Sequence, residues 1–429
     1  MEKYSSYKDS GVQWLGEIPS HWEVKKIRHI LSLANEKTKE PGGDLLSLSQ
    51  YVGITKKSDS NVGIRAAEDT TGYNVVHKGQ FVMNIMLAWN GSYAVSDYDG
   101  IISPAYCVFD FTRECDKRYY NYLLRMKVYA GAFKTESKGI IYSRLRLYPQ
   151  YFKNFPLIVP PLEEQQSMAS YLDKATAEID KAIAQQQHMI DLLNERKQII
   201  IQRAVTKGLD KNVEMKDSGV DWIGEIPAHW EVCKLKYLFK RIADGTHFSP
   251  KTTDDGYPYL TAADVRGIGI DYASSKKISA KDYQSLVSAG CKAYKGDILL
   301  VKDGATTGRV GLKTDDIDCV TLSSVAMLTP KDTEYTLYLM YMMMSDAMQK
   351  QITFSMSGAA MPRITLIKLN NFYAIKPPVE EQNKIVKSIK LGLEPIEKAL
   401  MISEKRMSLL QERKQIIISE VVTGKIKVS

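Results

Sequence analysis

The chain of 429 residues carries one framework twice. The segment KDSGVQWLGEIPSHWEVKKIRHI (residues 8–30) returns as KDSGVDWIGEIPAHWEVCKLKYL (216–238), with 15 of 23 positions identical at a constant offset of 208. A period this long indicates two copies of one module rather than a solenoid of short repeats. The chain is therefore expected to fold as a tandem duplication.

A second set of blocks recurs at an offset of 217. PPLEEQ (160–165) returns as PPVEEQ, and LLNERKQIII (192–201) returns as LLQERKQIII. The stretches between the blocks, about 31–153 and 239–370, match only in patches and differ in length by 217 − 208 = 9 residues. A common frame with unlike contents favours a protein that recognises two different things.

Composition excludes several classes of protein. No apolar leader opens the chain and no apolar run is long enough to span a bilayer, so we expect a cytoplasmic protein without membrane association. The five cysteines are odd in number and form no CxxC pair, which favours reduced thiols and no metal site. The net charge of +8 is compatible with a polyanionic partner but does not identify one.

Two long helices are predicted. Between Leu162 and Thr206 there is no Pro or Gly, and apolar residues recur at spacings of three, four or seven, as in a coiled-coil seam. The same seam recurs 217 residues later, so the two helices are expected to pair with each other. The predicted pairing residues are Leu172, Ile179, Ile183, Ile190, Leu193, Ile200, Ile389, Ile396, Leu400, Met407, Leu410 and Ile417.

Polar residues interrupt both seams at matched positions, Gln186 with Ser403 and Lys197 with Lys414. Such residues either fix the register of the pair or lie at its exposed rim. Pro395 distinguishes the second helix, because a proline inside a helix removes a hydrogen bond and clashes with the preceding turn. We expect a kink or a break there.

Each stretch between the blocks is predicted to be mixed α/β. In the first copy, strands are expected at 78–85, 93–95 and 101–111, followed by a helix over about 116–133. The second copy repeats this order, with strands at 295–302, 309–312 and 319–330 and a helix over about 334–352. Since Lys78-Gly79 and Lys295-Gly296 are 217 apart, the two domains are expected to share one architecture.

Recognition residues are expected in the loops between these elements. Arg and Asn hydrogen-bond base edges, whereas Lys and Thr suit phosphates. The four repeated tryptophans (14, 22, 222 and 230) are predicted to be packing anchors of the frame. The candidate DNA-binding residues are Trp89, Asn90, Ser92, Tyr93, Lys138, Tyr142, Arg144, Lys302, Thr306, Thr307, Arg309 and Arg363.

The motifs of an enzyme acting on nucleic acid are absent. There is no GxxxxGK[ST] phosphate loop and no HExxH, and the Pro-Pro pairs lack the residues that orient a target amine. No catalytic residue is predicted. Two alternatives to a DNA-recognition protein remain open: a coiled-coil adaptor without DNA readout, and a DNA methyltransferase or nuclease in its own right.

The repeated blocks resemble the specificity subunits of type I restriction-modification systems. The resemblance rests on HWEV at 21–24 and 229–232, on PP[LV]EEQ at 160–165 and 377–382, and on the long helices that end in Glu-Arg-Lys-Gln. It implies two α/β target recognition domains, related pseudo-twofold by tandem duplication and separated by a long antiparallel two-helix coiled coil. Each domain would read one half of a bipartite asymmetric DNA target.

The resemblance also implies a domain plan and partners. A first recognition domain with the N-terminal frame segment is expected over 1–155, a first spacer helix and connector over 156–215, a second recognition domain over 216–372 and a second spacer helix over 373–429. The implied partners are double-stranded DNA, two modification subunits and restriction subunits. This chain would be non-catalytic and hold no cofactor, with S-adenosylmethionine, ATP and Mg in the partner subunits.

Overall fold

The chain forms two compact units, and each combines segments distant in sequence. The computed structural model describes residues 2–59, 69–139, 145–267, 269–356 and 362–428. The first unit comprises Met1–Gln186 with Lys405–Ser429, and the second comprises Gln187–Glu404. Each unit therefore contains part of both long helices.

The first unit contains twelve strands in its described residues. They are β1 (Tyr7–Asp9), β2 (Glu17–Pro19), β3 (Glu23–Lys26), β4 (Leu31–Ala34), β5 (Leu46–Ser49), β6 (Gly53–Lys56), β7 (Asn74–Val76), β8 (Phe81–Asn84), β9 (Tyr93–Val95), β10 (Gly100–Ile102), β11 (Tyr106–Phe111) and β12 (Pro156–Val159). The helices that begin in this unit are α1 (Lys117–Leu124), α2 (Lys127–Glu136), α3 (Pro149–Phe152) and α4 (Leu162–Lys207).

Strand pairing explains why the repeated blocks close on each other. β3, which carries the Glu-Val of the first block, pairs antiparallel with β12, which leads directly into Pro160-Pro161 and α4. Between these two frame strands lies an antiparallel sheet in the order β4-β11-β8-β9, together with the hairpin β5-β6 and a two-stranded sheet of β7 and β10. The variable stretch is therefore an insertion between two strands that pair with each other.

The second unit begins within α4 and ends within α9. Its strands are β13 (Met215–Asp217), β14 (Glu225–Pro227), β15 (Glu231–Lys234), β16 (Phe239–Asp244), β17 (Thr252–Thr253), β18 (Tyr257–Leu260), β19 (Lys276–Ile278), β20 (Lys292–Ala293), β21 (Ile298–Val301), β22 (Val310–Leu312), β23 (Cys319–Thr321), β24 (Val325–Pro330) and β25 (Tyr373–Lys376). Its helices are α5 (Ala280–Ser288), α6 (Thr336–Met344), α7 (Asp346–Ser355), α8 (Leu366–Asn370) and α9 (Val379–Val422).

The second unit repeats the topology of the first. β15 pairs antiparallel with β25, as β3 pairs with β12, and the sheet β16-β24-β21-β22 has the strand order of β4-β11-β8-β9. The predicted common architecture is confirmed. The second unit also carries a five-stranded sheet, β17-β19-β18-β23-β20, which sequence patterning did not predict.

The helices agree with the sequence prediction, with two corrections. Each of the single helices expected after the strands is divided into two. The first is divided into α1 and α2 around Met126, and the second into α6 and α7 around Ser345. Met126 and Ser345 both have extended backbones. Of the kink or break expected at Pro395, the break is wrong, because α9 is continuous through this residue, and the kink stays a prediction. Pro395 lies on the exposed side of the helix rather than in the core.

Among the described residues, every helix is too short or too polar to cross a membrane.

Side chains from both long helices complete each core. In the first unit, Met168 and Leu172 of α4 and Val421 and Val422 of α9 join the aromatic core that contains Trp22. In the second unit, side chains from the end of α4 and the start of α9 join the core that contains Trp230. Because these residues are almost completely buried, the helices are part of the domains and not only connectors.

A carboxylate at the start of α4 joins the frame blocks in the first unit. Glu164 accepts hydrogen bonds from Trp22 Nε1 at 2.9 Å and Tyr4 Oη at 2.7 Å, and it lies 2.6 Å from His21 Nε2. Burial raises the pKa of Glu164, but the hydrogen bonds from Tyr4, His21 and Trp22 together outweigh burial and hold this pKa below its ordinary value.

The same arrangement recurs in the second unit. Glu381 accepts a hydrogen bond from Trp230 Nε1 at 2.8 Å and lies 2.6 Å from His229 Nε2. Trp22 and Trp230 are completely buried, as expected for packing anchors, whereas Trp14 is half-buried and Trp222 is at the surface. The repeated His-Trp and Glu-Glu-Gln blocks are therefore the two sides of one contact, which explains their joint repetition.

The pH dependence of folding tests the role of Glu164. Because the folded pKa of Glu164 is depressed, its carboxylate stabilises the folded state fully above its ordinary pKa of about 4.5, and this contribution is lost as pH falls through the folded value. Glu164→Gln should therefore lower the urea midpoint at neutral pH, with a difference from wild type that shrinks below about pH 4.5. Glu163→Gln at the exposed neighbouring position is the control. A difference that stays constant from pH 7 to pH 3 would contradict this role.

Candidate nucleic-acid interface

The loop after β8 brings two predicted recognition residues to the surface of the first unit. Ala88–Asn90 forms one 3-10 turn, which Gly91 closes with a φ of +89°. The Trp89 indole is half-buried and donates from Nε1 to the carbonyl of Met86 at 2.9 Å, while Asn90 is exposed. The amide of Asn90 is therefore available to a ligand.

Two other predicted residues of this loop are buried. Ser92 and Tyr93 lie in the core, where the Tyr93 ring packs edge-on against Phe133 at 5.3 Å. Burial raises the pKa of Tyr93. The sequence prediction that Ser92 and Tyr93 contact DNA is wrong, because neither side chain has surface available to a base. Alternation along a short strand turns Tyr93 inward, and the sequence pattern did not reveal its orientation.

Lys138 is exposed at the base of the second predicted loop. Its backbone pairs with Arg146 through two hydrogen bonds of 2.9 Å, and its ammonium lies 5.1 Å from the centre of the Tyr151 ring. The predicted residues Tyr142 and Arg144 lie outside the described residues. Their contact with DNA stays a prediction.

In the second unit, the predicted contact of Lys302 with DNA is wrong. Its side chain is buried, and its ammonium lies 3.3 Å from Asp244 and 3.2 Å from Asp303. A buried ammonium is costly unless carboxylates pair with it, and these two aspartates supply that pairing. Lys302 therefore has no surface for a phosphate. Asp244 was not singled out from the sequence, because its partner is distant along the chain.

The remaining candidates of the second unit surround the turn after β21. The Thr307 hydroxyl donates to the carbonyl of Gly304 at 2.6 Å, and Arg309 donates from Nη1 to the carbonyl of Val265 at 3.3 Å. Thr306, Thr307 and Arg309 are all half-buried. The side chain of Thr307 thus stabilises the turn, and that of Arg309 joins the turn to the segment around Val265.

Arg363 is exposed beside this turn. Its Nε lies 3.4 Å from Asp303 Oδ1, and the carbonyl of Lys302 accepts a hydrogen bond from the amide of Ile364 at 2.9 Å. Two segments distant in sequence thus meet at Asp303. The aspartate has one oxygen near the buried Lys302 and the other near the exposed Arg363, which orients the guanidinium at the surface.

The predicted pairing residues lie along the inner sides of α4 and α9. Gly392 of α9 packs directly on Ile200 of α4, since a methyl group placed on Gly392 would lie 3.4 Å from Ile200 Cγ2. The buried members of the set are Leu172, Ile179, Ile190, Ile389 and Ile396. The half-buried members are Ile183, Leu193, Ile200, Leu400, Met407, Leu410 and Ile417.

Two ion pairs fix the antiparallel register of the helices. In the first unit Lys414 of α9 lies 2.6 Å from Asp180 of α4, and in the second unit Lys197 of α4 lies 3.1 Å from Glu397 of α9. Asp180 and Glu397 are 217 residues apart, as are the two lysines. The duplication therefore produces the same pair twice. The matched offset of the two acids is a signal in the sequence from which both pairs can be predicted.

The two surfaces share a scaffold and differ in chemistry. The first presents an indole, an amide and an ammonium, whereas the second presents a guanidinium held by a carboxylate. Both sets of side chains carry groups that can hydrogen-bond polar ligands. Within the described ranges, no three His, Cys, Asp or Glu side chains are grouped as metal ligands would be.

The chain matches the family model described as "Type I restriction modification DNA specificity domain" over residues 19–187 and 227–401. The specificity subunit of the type I restriction enzyme MjaVIII of Methanocaldococcus jannaschii is 25% identical over 425 residues, covering 96% of this chain and 94% of the relative. The EcoBI specificity subunit of Escherichia coli is 28% identical over 245 residues, covering 54% of this chain and 50% of the relative.

A solved structure shares the fold. It comes from a study of complex assembly and conformational transition of the type I R-M system, and it matches with a TM-score of 0.61 and 17% identity, covering 95% of this chain and 99% of that chain. The two family matches begin just before the His-Trp blocks of the two copies, so each match contains one His-Trp block, one PP[LV]EEQ block and the stretch between them. The chain therefore belongs to the type I restriction-modification DNA specificity family.

Proposed function

We propose that each unit reads one half of a bipartite, asymmetric DNA sequence and that the paired helices set the spacing between the two halves. The observation that carries this proposal is the contrast between a repeated frame and unlike surfaces. The frame contact of Glu164 with Trp22 recurs as Glu381 with Trp230, whereas the exposed loop residues of the two units differ. Unlike surfaces on equal scaffolds suit two unlike half-sites.

In this proposal, different residues contact the base edges and the phosphates. Asn90 and Arg363 are exposed, and amide and guanidinium groups are those that hydrogen-bond base edges, while Lys138 suits a phosphate. The excess of basic residues, +8 for the chain, contributes a salt-dependent attraction to DNA. Specificity would thus depend on a few loop residues and affinity mainly on charge.

The reaction belongs to other chains in this proposal. Two modification subunits would bind S-adenosylmethionine and methylate the DNA, and restriction subunits would use ATP and Mg to cut it. Our chain would select the site without catalysing a step. Its relatives are named specificity subunits of restriction enzymes, which supports this division of labour.

The outer faces of the helices have the chemistry of a docking surface. Leu192 and Ile199 of α4 and their duplicates Leu409 and Ile416 of α9 are large apolar residues that are between 46% and 58% exposed. Each pair is spaced by seven residues, so its members lie on one side of their helix. An exposed apolar stripe that occurs twice suits two copies of one partner, and we assign it to the modification subunits.

Exchange of the block 31–153 tests modular readout. The ends of this block lie side by side, because the amide of Arg28 donates to the carbonyl of Lys153 at 2.9 Å, so a relative's block can replace it without disturbing the frame strands. The expected result is a methylated sequence altered in one half-site only. It is measured by genome-wide mapping of methylated adenines in cells that carry the native or the exchanged chain. Changes in both half-sites would reject modular readout.

Charge placed on the apolar stripe should prevent assembly. Leu192→Asp with Ile199→Asp should release one modification subunit, and adding Leu409→Asp with Ile416→Asp should release both, because desolvating a carboxylate in an apolar interface is costly. The masses of the reconstituted complexes are measured by native mass spectrometry. Asn194→Asp with Gln198→Asp adds the same charge on the opposite exposed face as a control. Full assembly by the fourfold variant would reject this docking surface.

Lengthening both helices tests their role in spacing. Counting six residues from the ion pair of Asp180 and Lys414 places Gln186 level with Ser408, so four residues inserted at each position lengthen both helices by about 6 Å and preserve their register. The gap between half-sites should grow by one or two base pairs, at about 3.4 Å each. The methylation map measures the gap, and an unchanged gap with normal methylation would reject this role.

A further inference from the structure

A hairpin of the first unit presents two large apolar side chains to solvent. Its strands β5 and β6 pair from Leu46 with Lys56 to Ser49 with Gly53, and Leu46, Leu48 and Ile54 anchor the stem in a small core. The three-residue turn exposes 82% of Tyr51 and 73% of Val52. The stem is thus fixed while the tip is uncovered.

One arginine holds this tip. Arg125 follows the last residue of α1 and donates from Nη2 to the carbonyls of Gln50 at 3.0 Å and Tyr51 at 3.1 Å. Burial lowers the pKa of Arg125, and among the described residues no carboxylate lies within ion-pair distance of it. The half-buried guanidinium of Arg125 hydrogen-bonds two backbone carbonyls and so fixes the conformation of the turn. We call this contact of Arg125 with Gln50 and Tyr51 the clamp.

The tip is continuous with the recognition loop described above. Gly91 lies against Gln50, since a methyl group placed on Gly91 would be 4.0 Å from Gln50 Cβ. Tyr51, Val52 and Asn90 line one open groove of about 680 Å³, together with three cations, Arg125, Lys127 and Lys414, and a single carboxylate, Asp180. The surroundings of the tip are therefore basic and suit a polyanion.

The second unit has no copy of this clamp in its described residues. Alignment of the equally long helices α2 and α7 places Met344 at the position of Arg125, and Met344 packs against the core. The strands that follow β16 belong instead to the five-stranded sheet. The clamp is thus part of what differs between the units, and the proposed function assigns unlike half-sites to such differences.

We propose that Tyr51 and Val52 contact base edges in the half-site read by the first unit, and that Arg125 is the positioning residue that holds their turn. This inference rests on the proposed function. A two-stranded ribbon fits the major groove of B-DNA, and an apolar side chain there contacts the C5-methyl group of thymine. Val52 suits such a methyl group, while the Tyr51 hydroxyl both donates and accepts hydrogen bonds.

Base preference measures this readout directly. The full chain is assembled with its modification subunits and mixed with duplexes randomised across both half-sites, and the bound DNA is sequenced. Tyr51→Ala and Val52→Ala should each relax the preference by roughly 5- to 100-fold at one or two base pairs of a single half-site, the one that changes on exchange of block 31–153. Tyr237→Ala, at an exposed aromatic residue of the second unit's frame, should leave every preference intact.

Variants of Arg125 separate positioning from simple stability. Arg125→Ala should relax the same base pairs as Tyr51→Ala, and Arg125→Lys should restore part of the preference because an ammonium still reaches a carbonyl. A lower melting temperature with unchanged preference in Arg125→Ala would overturn the positioning role. Unchanged preference in both Tyr51→Ala and Val52→Ala would overturn the contact. Failure of the unaltered complex to select any sequence would instead refute the proposed function.

Discussion

The structure depends on the antiparallel packing of α4 and α9, because neither unit has a complete core without both helices. The first unit uses the start of α4 and the end of α9, and the second uses the end of α4 and the start of α9. A chain that places its last helical turn against Trp22 must bring residues about 400 positions apart into one core. We expect such contacts to form late in folding, since closing long loops costs conformational entropy before any packing is gained.

Polar contacts within this packing select an arrangement more than they add stability. The pairs of Asp180 with Lys414 and Glu397 with Lys197 are partly exposed, and pairs of this kind contribute about 0–1 kcal/mol. They nevertheless specify register, because sliding one helix by a turn would separate both pairs. The hydrogen bonds of Glu164 and Glu381 act similarly at the helix starts. Each carboxylate lies in the first turn of its helix, where negative charge is favourable, and it joins that turn to a buried tryptophan.

The recognition surfaces show how one scaffold accommodates unlike contents. The four-stranded sheets have the same strand order, yet the position occupied by the half-buried Ile85 in the first unit holds the buried Lys302 in the second. That lysine requires Asp244 and Asp303, and Asp303 in turn lies beside the exposed Arg363. In the first unit Arg125 stabilises a hairpin turn through backbone carbonyls. Buried charges thus set the conformation of exposed loops in both units, by different means.

The sequence alone determined the features that local pattern encodes. The repeat offsets identified the duplication, the spacing of apolar residues located both long helices to within a residue or two, and hydrophobic runs located the strands around Phe81 and Ile298. The resemblance of the repeated blocks identified the family. These predictions succeed because periodicity is a property of neighbouring residues and repetition is a property of fixed offsets along the chain.

Only the tertiary structure decided which loop residues are exposed and which aspartates accompany them. Tyr93 and Lys302 carry side chains typical of recognition residues, but the fold turns both into the core. Tyr51 and Arg125, which no motif marks, meet where the guanidinium that follows α1 donates to a carbonyl of the turn between β5 and β6. Side-chain direction in a short strand and the partner of a buried charge depend on contacts between segments far apart in the chain, and a linear pattern does not specify those contacts.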